Sequence, residues 1–175
     1  SGKDGNLIVA EKHLVSTRGG KNPKLPPEII DLGMVGKVKK INPEAIEALM
    51  KENFIPIIAP VGVGDNSESY NINADTVTAE IAIALHAEKM ILLTDVEGIK
   101  NGQGKLVTNL SSKQVKKMIQ DEVITGGMIP KVESCMQTTA AGVQRAHIID
   151  GRVMHSLLLE IFTDSGIGTV INGKS

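Results

Sequence analysis

Aromatic side chains are nearly absent from this 175-residue chain, where Phe54, Tyr70 and Phe162 make up the whole set. That is too few for a base-stacking platform on single-stranded nucleic acid. A charge excess is missing as well. Nineteen Lys and Arg face 20 Asp and Glu for a net charge of −1, and neither sign forms a long run. A broad electrostatic footprint for DNA or RNA is therefore excluded. Cys135 is the sole cysteine, which rules out an intrachain disulfide and fits a reducing, cytoplasmic setting. No apolar run reaches transmembrane length, so no membrane partner is expected. His13, His86, His147 and His155 show neither HExxH nor Cys/His spacing, and no metal site is expected from them. The chain opens on Ser1-Gly2-Lys3-Asp4 without a methionine. The expectation is a fragment, with any targeting segment lost from view.

What is present is a core-sized chain with alternating elements. Asn6 to Ala10 and Lys12 to Ser16 read as two short strands, followed over residues 17 to 27 by a loop rich in Gly, Pro and Lys. Met34 to Ile41 reads as an edge strand. Asn42 and Pro43 open a helix with Ile46, Leu49 and Met50 on its buried stripe, Asn42 serving as the cap. Phe54 to Ala59 is a nearly continuous apolar run, the pattern of a strand covered on both faces, to which Pro56 is a minor objection. A helix over residues 74 to 87 would bury Val77, Ile81, Ala84 and Leu85. Lys89 to Thr94 is a buried-type strand, and Asn101-Gly102 with Gly104 marks a tight turn. Ser111-x-x-Gln114 is a capping box. Arg145 to Asp150 reads as a strand, Met154 to Phe162 as a helix, and Gly168 to Ile171 as a final strand. The fold class expected is α/β: a three-layer α/β/α sandwich with a mostly parallel central sheet.

Three stretches carry chemistry. Thr125-Gly-Gly-Met-Ile-Pro-Lys131 reads as a glycine loop running into a helix. Gly126 and Gly127 allow close backbone approach, Pro130 suits the first turn, and Lys131 adds a charge beside unpaired N–H groups, which suits a phosphate. An ordinary Gly-Gly turn with a solvated lysine has the same pattern. Tyr70-Asn-Ile-Asn-Ala-Asp75 would project Asn71, Asn73 and Asp75 from one face if extended, just before a helix. A helix cap with two turn-forming asparagines is the alternative. Thr94-Asp-Val-Glu-Gly98 follows a strand, where open α/β sheets bind ligands. Gly62-Val-Gly64 lacks the third glycine and the following helix of a dinucleotide fingerprint.

Lys3-Asp4, Val35-Gly36, Tyr70 to Asp75, Leu92-Leu-Thr-Asp-Val-x-Gly98, Gly126-Gly-Met-Ile-Pro-Lys131 and Gly166-x-Gly168-Thr169 follow the order and approximate spacing of the amino acid kinase family. The chain resembles about the carboxy-terminal three-fifths of such a kinase. It lacks the family's Lys-x-Gly-Gly loop, a second glycine loop for the γ-phosphate and an arginine for the substrate carboxylate. The resemblance implies a family-like sheet truncated at the amino end. Residues 1–88 would belong to a substrate-binding domain and 89–175 to an ATP-binding domain. It implies transfer of the γ-phosphate of MgATP to the side-chain carboxylate of N-acetyl-L-glutamate, in arginine biosynthesis. Lys131 matches the lysine that neutralises the moving phosphoryl charge, and Asp75 the carboxylate that orients it. Asn71 matches a contact to the substrate's α-carboxylate, supported by Asn73. Thr94, Asp95, Val96, Glu97, Gly98, Ile99 and Lys100, with Val123, Ile124, Thr125, Gly127 and Met128, match the nucleotide-binding segments. Glu160 and Gly168 resemble an L-arginine effector site of the feedback-inhibited form, and an exposed helix residue is the alternative for Glu160. A homo-oligomer, dimer or hexamer, is implied for the whole protein. A kinase for another carboxylate or a carbamate, and a non-catalytic nucleotide-binding or regulatory fragment, remain open.

Overall fold

The computed structural model describes residues 2 to 17, 28 to 163 and 166 to 173. Apart from Thr17, the loop expected over residues 17 to 27 lies outside them, as does Ser165. Two compact units divide the chain, Ser1–Val77 and Thr78–Ser175. Among the described residues, no helix is long and apolar enough to cross a membrane.

The first unit is built on a closed barrel of β1 (Ile8–Thr17), β2 (Glu28–Ile41), β3 (Val61–Val63) and β4 (Ser69–Asn71), in the order β1-β2-β4-β3. The two strands expected at the start are one. Register shifts between Val9 and Ala10 and between Lys12 and Leu14 bend β1 without ending it, as bulges do when an extra residue is left unpaired. Strand β2 reaches back to Glu28, well before the expected start at Met34. Leu7, Ile8, Ala10, Ile46, Tyr70, Ile72 and Val77 are the unit's buried apolar residues. Helix α1 (Glu44–Lys51) buries only Ile46, while Leu49 and Met50 are exposed. Asn42 does not cap it, because its amide donates to the Asn6 carbonyl at 2.8 Å. Residues 54 to 59 form no strand, and Phe54, Ile55 and Ile57 are exposed. An apolar run becomes a buried strand only where neighbours pair with it. Here Pro56 and Pro60 each lack a donor, and no described strand pairs with the run.

Helix α2 (Ala74–Ala84) crosses the division between the units. Its buried positions include Val77, Ala79 and Ala82, whereas Ile81, Ala84 and Leu85 are half-buried.

The second unit is a four-stranded sheet of β5 (Lys89–Thr94), β6 (Asn109–Ser111), β7 (Arg145–Asp150) and β8 (Thr169–Asn172), ordered β5-β7-β8-β6. The β5–β7 and β6–β8 pairs are parallel, and β7–β8 is antiparallel. The strand β6 has no counterpart in the sequence reading, being only three residues long and ending on Ser111, the first residue of the capping box. Helices α3 (Ser112–Gln120), α4 (Met128–Ala140) and α5 (Ser156–Phe162) complete the unit. Successive β7 side chains point to opposite faces. Ala146 and Ile148 enter the cluster that holds Val132 and Cys135 of α4, whereas His147 meets Glu160 of α5. These two helices therefore lie on opposite faces of β7, giving the expected layering, and β7 is buried from Ala146 to Asp150.

The capping box is formed. Ser111 Oγ accepts from Gln114 N at 3.3 Å, and Gln114 Oε1 accepts from Ser111 N at 2.8 Å. Ser111→Ala should lower stability by about 1 kcal/mol, and Ser111→Thr by clearly less. Urea denaturation of the three proteins checks this.

Candidate nucleotide site and polar clusters

Parallel pairing brings the carboxyl ends of β5 and β7 side by side, with Thr94 opposite Asp150. Gly151 N–H donates to the Thr94 carbonyl at 2.8 Å, so the two exits leave from one point. Thr94 is buried, and its hydroxyl donates to the Val96 carbonyl at 2.9 Å, turning the chain into the loop Asp95 to Lys100. That loop is held from below by Thr169 of β8. The Thr169 hydroxyl accepts from Ile99 N at 2.8 Å and donates to the Val107 carbonyl at 2.7 Å. Gly98 lies directly over it. With φ 141° and only 2.7 Å between a built Cβ and Thr169 Oγ1, position 98 admits no side chain.

A cavity of about 510 Å³ opens above this loop, lined by Asp95 to Lys100, Val123, Ile124, Thr125, Met128 and Arg152. Ten of these eleven residues were expected from the sequence. Thr94 lies beneath the cavity, and Gly127 and Lys131 are not on its lining. Arg152 was missed. Its signal was available, since an Asp-Gly-Arg turn directly after a buried parallel strand lies where α/β sheets bind ligands.

Arg152 is fixed by Asp150, whose side chain is only 8% exposed. Arg152 Nε donates to Oδ1 at 2.9 Å and Nη2 to Oδ2 at 2.8 Å, while the Arg152 backbone N–H also donates to Oδ1 at 2.9 Å. These hydrogen bonds hold the Asp150 carboxyl down at about 2, from an ordinary 3.8. Across the lining, Lys100 pairs with Glu97 at 3.0 Å.

Helix α4 begins immediately after the glycine loop. Gly126 has φ 55°, and Met128 N and Ile129 N donate to the carbonyls of Thr125 and Gly126. The Gly127 cap supplies no side chain, and Pro130 is the third helical residue, where no i−4 partner is required. Lys131 follows, half-buried.

In the first unit, Asn71, Asn73 and Asp75 do not share the face that an extended chain would give them. Strand β4 ends at Asn71 and α2 starts at Ala74. Asn73 makes the change of direction, its Oδ1 accepting from Thr76 N at 3.1 Å as a helix cap does. Asn71 is exposed, and Asp75 lies in the first helical turn, half-buried.

Glu160 is not an exposed helix residue. Its side chain is 5% exposed, its Oε1 lies 2.6 Å from His147 Nδ1, and its Oε2 accepts from Ile167 N at 2.8 Å. His147 Nε2 is buried and makes no hydrogen bond. Both line a polar cavity of about 300 Å³ with Lys89, Arg145 and Gly168. Gly168 has a packing reason of its own, as a Cβ there would collide with the Ile148 carbonyl.

The depressed Asp150 carboxyl makes a pH prediction. A carboxylate whose pKa is lower folded than unfolded contributes stability that is complete above the unfolded value and lost as pH falls through the folded one. The wild-type melting temperature should therefore fall between about pH 4 and pH 2 more steeply than that of Asp150→Asn. Thermal melts across that range give the comparison.

Acetylglutamate kinase of Syntrophus aciditrophicus is 56% identical over 97% of this chain and 56% of its own length. That of Nitrosococcus oceani is 51% identical over 99% of this chain and 58% of its own length. The chain thus spans somewhat more than half of these relatives. Among solved structures, N-acetylglutamate synthase from Neisseria gonorrhoeae, complexed with coenzyme A and L-arginine, superposes with a TM-score of 0.83 at 25% identity, over 97% of this chain and 37% of that one. The model of the amino acid kinase family matches residues 7–150, which include the barrel strands, the Asp95 loop, the glycine loop and β7, and the chain belongs to that family.

Proposed function

We propose that this chain is the nucleotide-binding part, and a portion of the acceptor-binding part, of a kinase that phosphorylates the side-chain carboxylate of N-acetyl-L-glutamate. The observation that carries the reading is the cavity at the carboxyl ends of β5 and β7, next to the start of α4. Its walls suit a nucleoside. Val96, Val123 and Met128 offer apolar surface to a base, with Ile99 and Ile124 buried in the core beneath, and Asp95 and Glu97 offer acceptors to ribose hydroxyls. Identity of 51–56% to acetylglutamate kinases supports the choice of acceptor. In this reading residues 89–175 bind ATP and residues 1–88 belong to the acceptor domain. The whole protein is cytoplasmic and a homo-oligomer, dimer or hexamer.

The chemistry needs no nucleophilic side chain, since the acceptor carboxylate is already an anion. Two like-charged reactants must be held together while charge spreads over the moving phosphoryl group. Lys131, in the first turn of α4, supplies a full positive charge at the positive end of the helix dipole, where Met128 N and Ile129 N are already bonded to the preceding loop. Asp75 is the counter-charge assigned to orienting lysine, and Asn71 the donor to the substrate α-carboxylate. Asn73 supports it by capping α2. Magnesium would arrive as MgATP, held mainly through phosphate oxygens and water, and would supply further charge neutralisation. Among the described residues there is no cluster of three His, Cys, Asp or Glu that would form a separate metal cage.

The buried His147–Glu160 pair supports a second site for L-arginine. A carboxylate has lone pairs left after two hydrogen bonds and suits a guanidinium. A kinase for another carboxylate or a carbamate would use the same nucleotide pocket with a different acceptor domain.

Calorimetry should detect MgATP or MgADP binding to this chain, weak but measurable at millimolar nucleotide. The absence of both heat and thermal shift at that concentration overturns the proposal. In the full-length kinase, Lys131→Ala should lower turnover by about a hundredfold or more, with a smaller change in KM for the acceptor. Asp75→Asn should lower turnover similarly while leaving the melting temperature almost unchanged, because Asn73 and not Asp75 caps the helix. Steady-state kinetics with melting curves tests both, and a normal turnover in either variant defeats the assigned role.

A further inference from the structure

The residue that the sequence motifs do not account for is Arg152. It lines the nucleotide cavity from the exit of β7, beside the Asp95 loop that leaves β5. Most exposed arginines sample many rotamers, and ordering one on a ligand costs affinity. Arg152 is different. Its side chain is 65% exposed, yet two parallel hydrogen bonds lock Nε and Nη2 to the buried Asp150 carboxylate. A fork-to-fork contact of this kind fixes the guanidinium plane. The clamp uses Nε and Nη2, so Nη1 and the flat face of the guanidinium are not engaged by Asp150. Asp150 is itself held by the strand end and by the Arg152 backbone N–H. The whole turn is tied to β5 through Gly151.

The surroundings indicate which part of a nucleotide this group meets. Asp95 and Glu97 act on Arg152 electrostatically and, with Asp150, favour its charged form. Lys100 is paired with Glu97 and Arg152 with Asp150, so neither cation of the lining is without a carboxylate partner, and Asp95 adds further negative charge, which makes poor company for a polyphosphate. Asp95 and Glu97 are good neighbours for ribose hydroxyls and for a base on the apolar wall. We propose that Arg152, held rigid by Asp150, is a positioning residue that contacts the nucleoside part of the nucleotide, by stacking on the base or donating from Nη1 to it, and not the phosphates. This rests on the nucleotide-pocket reading given above.

The test uses the chain with adenosine, ADP and MgATP in calorimetry, beside Arg152→Gln, Arg152→Lys and Asp150→Asn, with the melting temperature of each protein measured without ligand. Arg152→Gln should weaken adenosine and MgATP by a similar factor, roughly tenfold. Arg152→Lys should not restore affinity, because an ammonium can neither stack as a plane nor be held bidentately. Asp150→Asn should weaken nucleoside binding by a smaller factor with Arg152 intact, since one acceptor of the clamp is kept. A loss confined to ADP and MgATP would overturn the inference in favour of a phosphate contact. Unchanged affinities with a lowered melting temperature would reduce the pair to a stabiliser of the turn. If the wild-type chain binds none of the three, the pocket reading falls and takes this inference with it. If it binds all three and Arg152→Gln binds them equally well, only the inference falls.

Discussion

Parallel pairing of β5 with β7 is the constraint on which the second unit depends. Six consecutive residue pairs, Lys89 with Arg145 through Thr94 with Asp150, run in register. Two parallel strands end at the same edge of a sheet, so whatever follows them is forced into one place. After β5 comes the Asp95 loop, and after β7 the Asp150–Arg152 turn. The hydrogen bond from Gly151 to Thr94 continues the ladder by one step and joins the two exits. A one-residue slip would turn His147 toward the cluster of Val132 and Cys135, and would withdraw Ile148 from it.

Small hydroxyl side chains carry this arrangement outward. Thr94 and Thr169 are buried, and both spend their hydroxyls on backbone groups of the loop over which the cavity opens. A loop pinned in this way needs little reordering on binding, which favours affinity for a ligand of modest size. Gly98 completes the arrangement by leaving room for Thr169 beneath it. Beside this loop stands a guanidinium held by a carboxylate whose proton affinity it has lowered. Each wall is therefore preorganised by contacts below the surface that a ligand would touch.

Polar groups elsewhere divide into those that shape the chain and those left for chemistry. Asn73 and Ser111 are spent on helix starts, and Asn42 on a tie to residue 6. Asn71 stays exposed at a strand end. Glu160 and His147 form a buried pair with one ring nitrogen still lacking a partner. An unpaired buried nitrogen is costly, so a polar cavity beside it is a place where a ligand would relieve that cost.

Local chemistry was legible in the sequence wherever a short segment decides its own shape. The Ser111 capping box, the turn at Asn101 and the glycine loop opening α4 depend on contacts within a few residues, and the strands at Lys89 and Arg145 were marked by their apolar runs, although the pairing of one with the other is long-range. The Asp95 loop was legible for the same reason, and it lines a cavity at the strand ends. Tertiary structure decided the rest, because burial and alignment depend on partners distant in the chain. It set Phe54, Ile55 and Ile57 in water and merged two short strands into a bulged one. It buried Glu160 against a histidine thirteen residues away, and it brought Arg152 to the cavity. The end of the alternation at Asn71 is local instead, since Asn73 caps α2 through Thr76 N, the alternative that the sequence had left open. A motif can name the groups on one loop, but only the pairing of β5 with β7 determines which second loop stands beside it.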